Sequence, residues 1–246
     1  MTEQLSAPSL DFLAEQIAAL LAEPSTSHGL ARTLRAAVKE IEISRYHYTS
    51  SRAWPNGRID AAPEKVQIGG GAHRIDGFYN IDAVPPADLL WDIREGIPLQ
   101  DSTVRVMFSE HFLEHIDYPR SVKHYAREAH RALAPGGRLV TGVPDAAFVL
   151  RHYPGNPALS EEMVERWYAK RDCLGDINTF LDLINYVFRD QDDDPTYSPH
   201  LWAYDLEKLT QVFAEAGFES VEPWAFDPTI ANPKRRWGSI YVIAMK

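Results

Sequence analysis

The chain has 246 residues, a length that fits one large α/β domain with a small appendage. Its formal net charge of −10 argues against a nucleic acid as the main partner, because phosphate binding needs a concentrated basic surface. The sequence shows neither a basic and apolar leader nor an apolar window of about 18 residues, so we expect a cytoplasmic protein without a membrane span. Cys173 is the only cysteine, which excludes a disulfide framework and a cysteine metal cluster.

Two amphipathic helices are predicted ahead of the first strand. Leu10, Leu13 and Ile17 recur at helical spacing, and a second apolar series of the same period starts at Leu30. We assign residues 1–50 to this N-terminal helical extension. The sequence leaves open whether the extension closes over a substrate as a lid or braces the core.

Strands and helices alternate after the extension, which predicts a parallel sheet with helices on both faces. Residues 146–200 are rich in proline, aromatic and acidic residues, and they are predicted to form a substrate-facing insertion after the fifth strand. The predicted strands are 66–68, 78–81, 89–90, 104–108, 138–143, 221–225 and 239–244, and the predicted helices are 122–133, 160–171, 176–188 and 205–216.

The segment from Lys65 to Asp82 carries the main functional signal. A short apolar strand runs into Gly69, Gly70 and Gly71, and the second strand ends at Asp82. Glycines at the end of a strand let a nucleotide approach the backbone, and their N–H groups can face it. A carboxylate at the tip of the neighbouring strand can accept both hydroxyls of a ribose. The pattern therefore predicts a nucleoside-cofactor site at the carboxyl ends of the strands.

Taken in order, the motifs resemble those of the class I S-adenosylmethionine-dependent methyltransferases, particularly the type-11-like group. The resemblance is close over residues 65–145 and moderate over 200–244. It implies S-adenosylmethionine as the cofactor and a Rossmann-like, mostly parallel seven-stranded sheet over residues 60–246. The matching segments are the glycine turn, Asn80-Ile81-Asp82, Asp92-Ile93, SEHFLEHI at 109–116, LAPGGRLVTGVPD at 133–145 and HLWAYDLEKLTQVFAEAGF at 200–218.

The resemblance also implies a role for each matched residue. The glycine turn would hold the amino-acid end of the cofactor, and Asp82 would bind the ribose. The carboxylate of Asp92 and the N–H of Ile93 would contact adenine. The segment that contains Glu110 and His111 would line the methionine moiety.

Two departures from the family pattern bear on the cofactor site. Gln67 stands where many relatives carry an acidic residue, so one polar contact to the cofactor would be altered. Only about nine residues separate the first two strands, fewer than a full βαβ crossover usually needs. We therefore expect the first helix to be reduced to a turn.

Rival interpretations of these motifs are weaker. A dinucleotide fingerprint would need a third glycine where Arg74 stands, and Asp82 follows Gly71 by 11 residues instead of about 20. No P-loop pattern is present. The segment His111–His115 fits the H-x-x-E-H pattern of some zinc peptidases, but its place after the fourth strand already explains it. Because Asp192–Asp194 reads as a solvated loop, we expect no metal.

Three residues are candidates for catalysis. His200 re-enters the core near the predicted substrate mouth, where a histidine can accept a proton near neutral pH. The alternative is that His200 only ties the insertion to the closing helix by a hydrogen bond. Tyr197 lies beside it in the sequence, and Asn185, one helical turn before Arg189, is expected to face the same cavity.

The resulting hypothesis is methyl transfer to a small-molecule acceptor by in-line displacement, with the nucleophile held at about 3–3.5 Å. One alternative is transfer of the 3-amino-3-carboxypropyl group, or its intramolecular cyclisation, with release of methylthioadenosine. Another is a degenerate, non-catalytic partner subunit that binds the cofactor weakly or not at all. The sequence is compatible with a homodimer.

Overall fold

The computed structural model describes residues 7–54, 56–153, 179–189 and 199–246, and its strands pair into one seven-stranded sheet. The order across the sheet is 3-2-1-4-5-7-6 by chain number; the seventh strand runs antiparallel to both neighbours, and the other pairings are parallel. This confirms the predicted Rossmann-like, mostly parallel sheet. The strands are β1 (Lys65–Ile68), β2 (Tyr79–Asp82), β3 (Leu89–Leu90), β4 (Val104–Glu110), β5 (Leu133–Pro144), β6 (Ser220–Pro223) and β7 (Ser239–Met245).

Six α-helices lie within the described residues, and two of them precede the sheet as predicted. Asp205 begins the closing helix by accepting a hydrogen bond from the N–H of Lys208 at 2.8 Å. The predicted helix at 160–171 lies outside the described residues. The helices are α1 (Ala7–Ala22), α2 (His28–Ala53), α3 (Arg120–Ala132), α4 (Ala146–His152), α5 (Phe180–Arg189) and α6 (Leu206–Glu215).

Alternation along the strands divides the core between the two faces of the sheet. Met107 and Leu139 belong to the larger cluster, which includes buried side chains of α3 and α6. Phe108, Val140 and Tyr241 belong to a second cluster, to which partly buried residues such as Phe78 and Trp224 contribute.

The fifth strand begins earlier than the sequence predicts. The expected span was 138–143, but β5 starts at Leu133, which already pairs with Val104. A register shift follows, and Gly137 sits so tightly that an added Cβ would lie 2.7 Å from the carbonyl oxygen of Ala134. The Pro-Gly-Gly segment therefore distorts the strand after the helix has ended, instead of separating the two elements.

The N-terminal extension is a helical hairpin. Leu10 and Ile17 of α1 pack against Ile41 of α2, and Arg45 pairs with Asp11 at 2.8 Å. Helix α2 also contacts β3 at the edge of the sheet. None of the helices in the described part of the chain combines the length and apolar character that a membrane span needs.

Candidate active site

A cleft of about 560 Å³ opens beyond the carboxyl ends of β1, β2 and β4. Its volume falls within the range of about 300–1,000 Å³ that is usual for small-molecule sites. It brings together all the predicted cofactor residues except Glu110. Those on its wall are Gly69, Gly70, Gly71, Asp82, Asp92, Ile93 and His111.

The N–H groups of the glycine turn are all donated to acceptors on β2. Gly69 donates to the carbonyl oxygen of Ile81 at 2.9 Å, and Gly70 donates to Asn80 Oδ1 at 3.3 Å. Gly71 donates to Asp82 Oδ2 at 2.9 Å. The expectation that these N–H groups face a ligand is therefore wrong for this conformation, because the second strand already occupies them.

The glycine turn leaves space for a ligand because its residues have no side chains. Gly69 and Gly71 have φ values of 65° and 53°, which favour glycine. A Cβ on Gly69 would lie 2.6 Å from the ring of Phe112, and one on Gly70 would lie 2.7 Å from Asn80 Oδ1. Larger residues would therefore displace the side chains that shape the cleft.

Asp82 is held in place by the backbone and keeps capacity to bind a ligand. Its Oδ2 accepts the N–H of Gly71, and its Oδ1 accepts the N–H of Val84 at 3.3 Å. Each oxygen of a carboxylate has about two acceptor positions, so each can accept one further hydrogen bond. This arrangement fits a pair of ribose hydroxyls.

Gln67 supports the loop that stands in place of the first helix. Residues 69–78, all of them described, contain no helix, as the short spacing predicts. The side chain of Gln67 is only 3% exposed. Its Nε2 donates to the carbonyl oxygen of His73 at 2.6 Å, and its Oε1 accepts the N–H of Ile75 at 3.0 Å. The departure at this position thus has a structural consequence: the amide braces the loop from behind the cleft.

The substitution Gln67→Glu should destabilise this loop. A carboxylate cannot donate to the His73 carbonyl, and leaving a buried acceptor unsatisfied costs about 1–3 kcal/mol. We expect a lower free energy of unfolding in urea together with weaker binding of S-adenosylhomocysteine by calorimetry. Gln100→Glu, the same change at an exposed position, serves as the control. Equal behaviour of the two variants would contradict the bracing role.

The predicted adenine end of the cleft is connected to α2. Asp92 accepts hydrogen bonds from the guanidinium of Arg94, which also pairs with Glu40 of α2 at 2.7 Å. Hydrogen bonds to Asp92 and Glu40 raise the pKa of Arg94 further above its ordinary value. The N–H of Asp92 donates to His47 Nδ1 at 3.3 Å, and Ile93 is buried beside it. The N-terminal extension therefore contributes to this end of the cleft.

Glu110 lies behind the cleft wall, in contrast to the role implied for it. It is 4% exposed and accepts hydrogen bonds from the hydroxyl of Tyr241 at 2.6 Å, the N–H of Asn232 at 3.1 Å and Arg235 Nη1 at 3.3 Å. These contacts tie β4 to β7 and to the loop before it. Glu110 thus positions the wall, while the next residue, His111, lines it.

Residues 81–141 match the family model described as a methyltransferase domain. The match extends from the end of β2 into β5, so it includes Asp82, Asp92 and the whole segment after β4. Residues 81–141 therefore form a methyltransferase domain of the kind that the sequence motifs resemble. Its cofactor is therefore S-adenosylmethionine, and the cleft described above has the residues to accept it.

Solved structures of other methyltransferases are similar to this methyltransferase at low identity. A protein from Thermotoga maritima, described as a possible histamine N-methyltransferase, is 16% identical, with a TM-score of 0.42 and coverage of 87% of this chain and 97% of its own. One from Mesorhizobium loti is 17% identical, with a TM-score of 0.43 and coverage of 78% and 97%. One from Methanosarcina mazei is 14% identical, with a TM-score of 0.43 and coverage of 78% and 96%. Among curated proteins, none matches the chain.

The H-x-x-E-H segment of the methyltransferase does not form the α-helix that a zinc-peptidase pattern would need. His111 has a φ of 52° and donates its N–H to the carbonyl oxygen of Gly142 at 2.8 Å. Leu113–His115 forms a single 3₁₀ turn. The two histidines therefore reach the cleft from different backbone directions, and Glu114 lies buried between them.

Burial dominates the electrostatics of this segment. It lowers the pKa of His111 well below its ordinary value, and the charge of Arg235 acts in the same direction. Burial raises the pKa of Glu114 to about 8. Both shifts favour the uncharged form of the side chain in the folded protein.

The structure describes two of the three catalytic candidates, His200 and Asn185, and does not place them together on the cleft wall. His200 is buried, and its Nδ1 lies 2.9 Å from the carbonyl oxygen of Val187 in α5, as the structural alternative expects. Asn185 is exposed on α5, and Tyr197 lies outside the described residues. Among the described residues on the cleft wall, neither His200 nor Asn185 is present.

Other parts of the cleft wall could not be found from local motifs. Lys39, Glu40 and Ile43 come from α2, and Asn232 and Arg235 come from the loop before β7. Arg235 belongs to the basic run Lys234–Arg236, a pattern that is typical of a solvated loop. Instead, Arg235 donates to the carbonyl oxygen of Glu110 at 2.9 Å. The one signal in the sequence is Glu110 at the end of β4, because a buried carboxylate there needs a basic partner such as Arg235.

Proposed function

We propose that this methyltransferase transfers the methyl group of S-adenosylmethionine to a small-molecule acceptor. The observation that carries the proposal is the convergence of the glycine turn, Asp82 and Asp92 on one cleft of about 560 Å³. A cleft of this size suits a small acceptor beside the cofactor better than an extended polymer.

Different residues of the cleft would contact different parts of the cofactor. Asp82 would accept the ribose hydroxyls, and the bare glycine turn would leave room for the amino-acid end. Asp92 and Ile93 would contact the adenine ring, and Arg94 would hold the carboxylate of Asp92 in place by the hydrogen bonds described above. His111 and Phe112 would border the space left for the acceptor.

The cofactor supplies an activated methyl group, whose bond to sulfur breaks with its electron pair as the bond to the acceptor forms. The protein then has to align the acceptor and exclude water, and correct placement alone can account for much of the acceleration. The role of His200 as a general base remains a prediction, and its bond to Val187 supports the structural alternative. We therefore attribute the rate of methyl transfer to the positioning of the acceptor against the methyl group.

The nucleoside product tests the reaction. The purified protein is incubated with S-adenosylmethionine and a panel of small hydroxyl, amine and thiol acceptors, and the products are identified by mass. We expect S-adenosylhomocysteine that depends on the acceptor, together with an acceptor heavier by one methyl group.

Two other products would count against this function. Methylthioadenosine would show attack at the aminocarboxypropyl carbon, with or without a second substrate. Failure to bind the cofactor in calorimetry, together with no product, would favour the degenerate subunit. A sample without acceptor and a heat-inactivated sample correct for spontaneous breakdown of the cofactor.

A further inference from the structure

Three side chains from two distant parts of the chain meet beside the cleft. The potential ligand atoms of Glu114, His115 and His200 all lie within 4.8 Å of one another. Glu114 and His115 belong to the turn after β4, whereas His200 precedes α6. Because His115 also lines the cleft, the cluster borders the space predicted for the acceptor.

The carboxylate of Glu114 is the least satisfied group in the cluster. The residue is 1% exposed, and neither carboxylate oxygen has a hydrogen-bond partner among the described residues. Its Oε1 lies 4.0 Å from His115 Nε2 and 3.6 Å from His111 Nδ1. Buried carboxylates nearly always have partners, so an unpartnered one among imidazoles is suited to bind a cation.

The histidines are oriented as metal ligands usually are. His200 Nδ1 lies 2.9 Å from the carbonyl oxygen of Val187, and His115 Nδ1 lies 3.4 Å from that of Pro199. A carbonyl oxygen can only accept, so Nδ1 carries the proton in both rings and Nε2 keeps the lone pair. Support of one ring nitrogen by a backbone carbonyl is a common second contact of metal-binding histidines.

His111 extends the cluster toward the cleft. Its Nε2 lies 2.8 Å from the hydroxyl of Ser239, while its Nδ1 faces the carboxylate of Glu114. A third imidazole therefore faces the carboxylate of Glu114, outside the group of three whose ligand atoms lie within 4.8 Å of one another.

We infer that Glu114, His115 and His200 bind one divalent first-row transition-metal ion, with Zn²⁺ as the reference ion. Imidazole and carboxylate ligands suit zinc, and a set of two histidines and one glutamate leaves one position of a tetrahedron open. Zinc–nitrogen bonds of 2.0–2.1 Å place tetrahedral ligand atoms roughly 3.4 Å apart, so the side chains need to close by about 1 Å. The fourth position is open to water or to a ligand in the cleft.

This site differs from the one that the sequence pattern suggested. The H-x-x-E-H pattern would use two histidines on one face of a helix. Here His115 and Glu114 share a 3₁₀ turn, and the second histidine ligand comes from His200, far along the chain.

The direct test is metal binding by the full chain without an affinity tag, since a polyhistidine tag would itself bind zinc. The protein is treated with a chelator, desalted and titrated with Zn²⁺ against a chromophoric competitor. We expect one zinc per chain with micromolar or tighter affinity. Co²⁺ bound at the same stoichiometry should give the strong visible absorption of a tetrahedral site. A wild-type protein without saturable binding, or a cobalt spectrum like that of the aqueous ion, would overturn the inference.

Variants locate the site independently of methyl transfer. Glu114→Gln and His115→Ala should each weaken zinc binding at least about 100-fold, because each removes a direct ligand. His28→Ala removes an exposed histidine at the start of α2 and should bind zinc like the wild type. Circular dichroism establishes that each variant is folded. Zinc affinity unchanged in both Glu114→Gln and His115→Ala would rule out this cluster, whatever the outcome of the methyl-transfer assay.

Discussion

Replacing Asp82 with alanine should weaken binding of S-adenosylmethionine and S-adenosylhomocysteine at least about 100-fold. A hydrogen bond to a charged group contributes about 1.5–3 kcal/mol, and the carboxylate is positioned to accept two from the ribose. The variant also removes the acceptor of the Gly71 N–H, which would loosen the turn. Isothermal titration calorimetry measures the affinity for both ligands, and circular dichroism checks the fold.

Two further aspartate variants show whether the effect belongs to this carboxylate. Asp82→Asn keeps the shape but replaces one acceptor oxygen with a donor, so it should bind more weakly than the wild type and more tightly than Asp82→Ala. Asp76→Asn makes the same change in charge at an exposed position in the adjoining loop and should leave affinity intact. Unchanged cofactor affinity in folded Asp82→Ala would refute the assignment of the ribose ligand.

Gly142→Ala should produce the largest loss of stability among these variants. Gly142 of β5 pairs with Tyr241 of β7, and an added Cβ would lie 2.3 Å from the tyrosine ring. Overpacking of this kind costs about 1–3 kcal/mol. A shifted ring would also weaken the hydrogen bond from Tyr241 to the buried Glu110, so we expect a total loss of about 2–4 kcal/mol.

Urea unfolding followed by far-ultraviolet circular dichroism measures this loss. Gly29→Ala is the matched control, since Gly29 lies in α2 with nothing within 4 Å of an added Cβ. That substitution should leave stability unchanged or raise it by up to about 1 kcal/mol, because alanine favours the helix. A Gly142→Ala protein as stable as the wild type would mean that the Tyr241 ring moves aside without loss.

The fold and the position of the cleft could be predicted because their signals are local. Each strand is a short apolar run, and Gly69–Gly71 and Asp82 mark where two of the strands end. The absence of a helix after β1 follows from the small number of residues between β1 and β2. The start of β5 could not be predicted in this way. The strand begins at Leu133 because the chain leaves α3 already extended and pairs with Val104, a contact that no local pattern shows.

The side-chain partners within the site required the structure. Alternation could have assigned Glu110 to the face of Phe108, since residues two apart in a strand share a face, but its partner Tyr241 lies on β7. The contact between Gln67 and His73 and the meeting of Glu114 with His200 likewise depend on the folded chain. Whether the N-terminal hairpin opens as a lid also stays a prediction, as do the homodimer and the cytoplasmic location.

The contact between Asp82 and Gly71 makes two subsites thermodynamically interdependent. One carboxylate orders the turn expected at the amino-acid end of the cofactor and is also positioned for the ribose. A ligand that orients this carboxylate at the ribose therefore favours the ordered turn, and by reciprocal linkage a ligand that orders the turn favours the ribose contact. Adenosine-like and methionine-like fragments would thus bind cooperatively, even without touching each other.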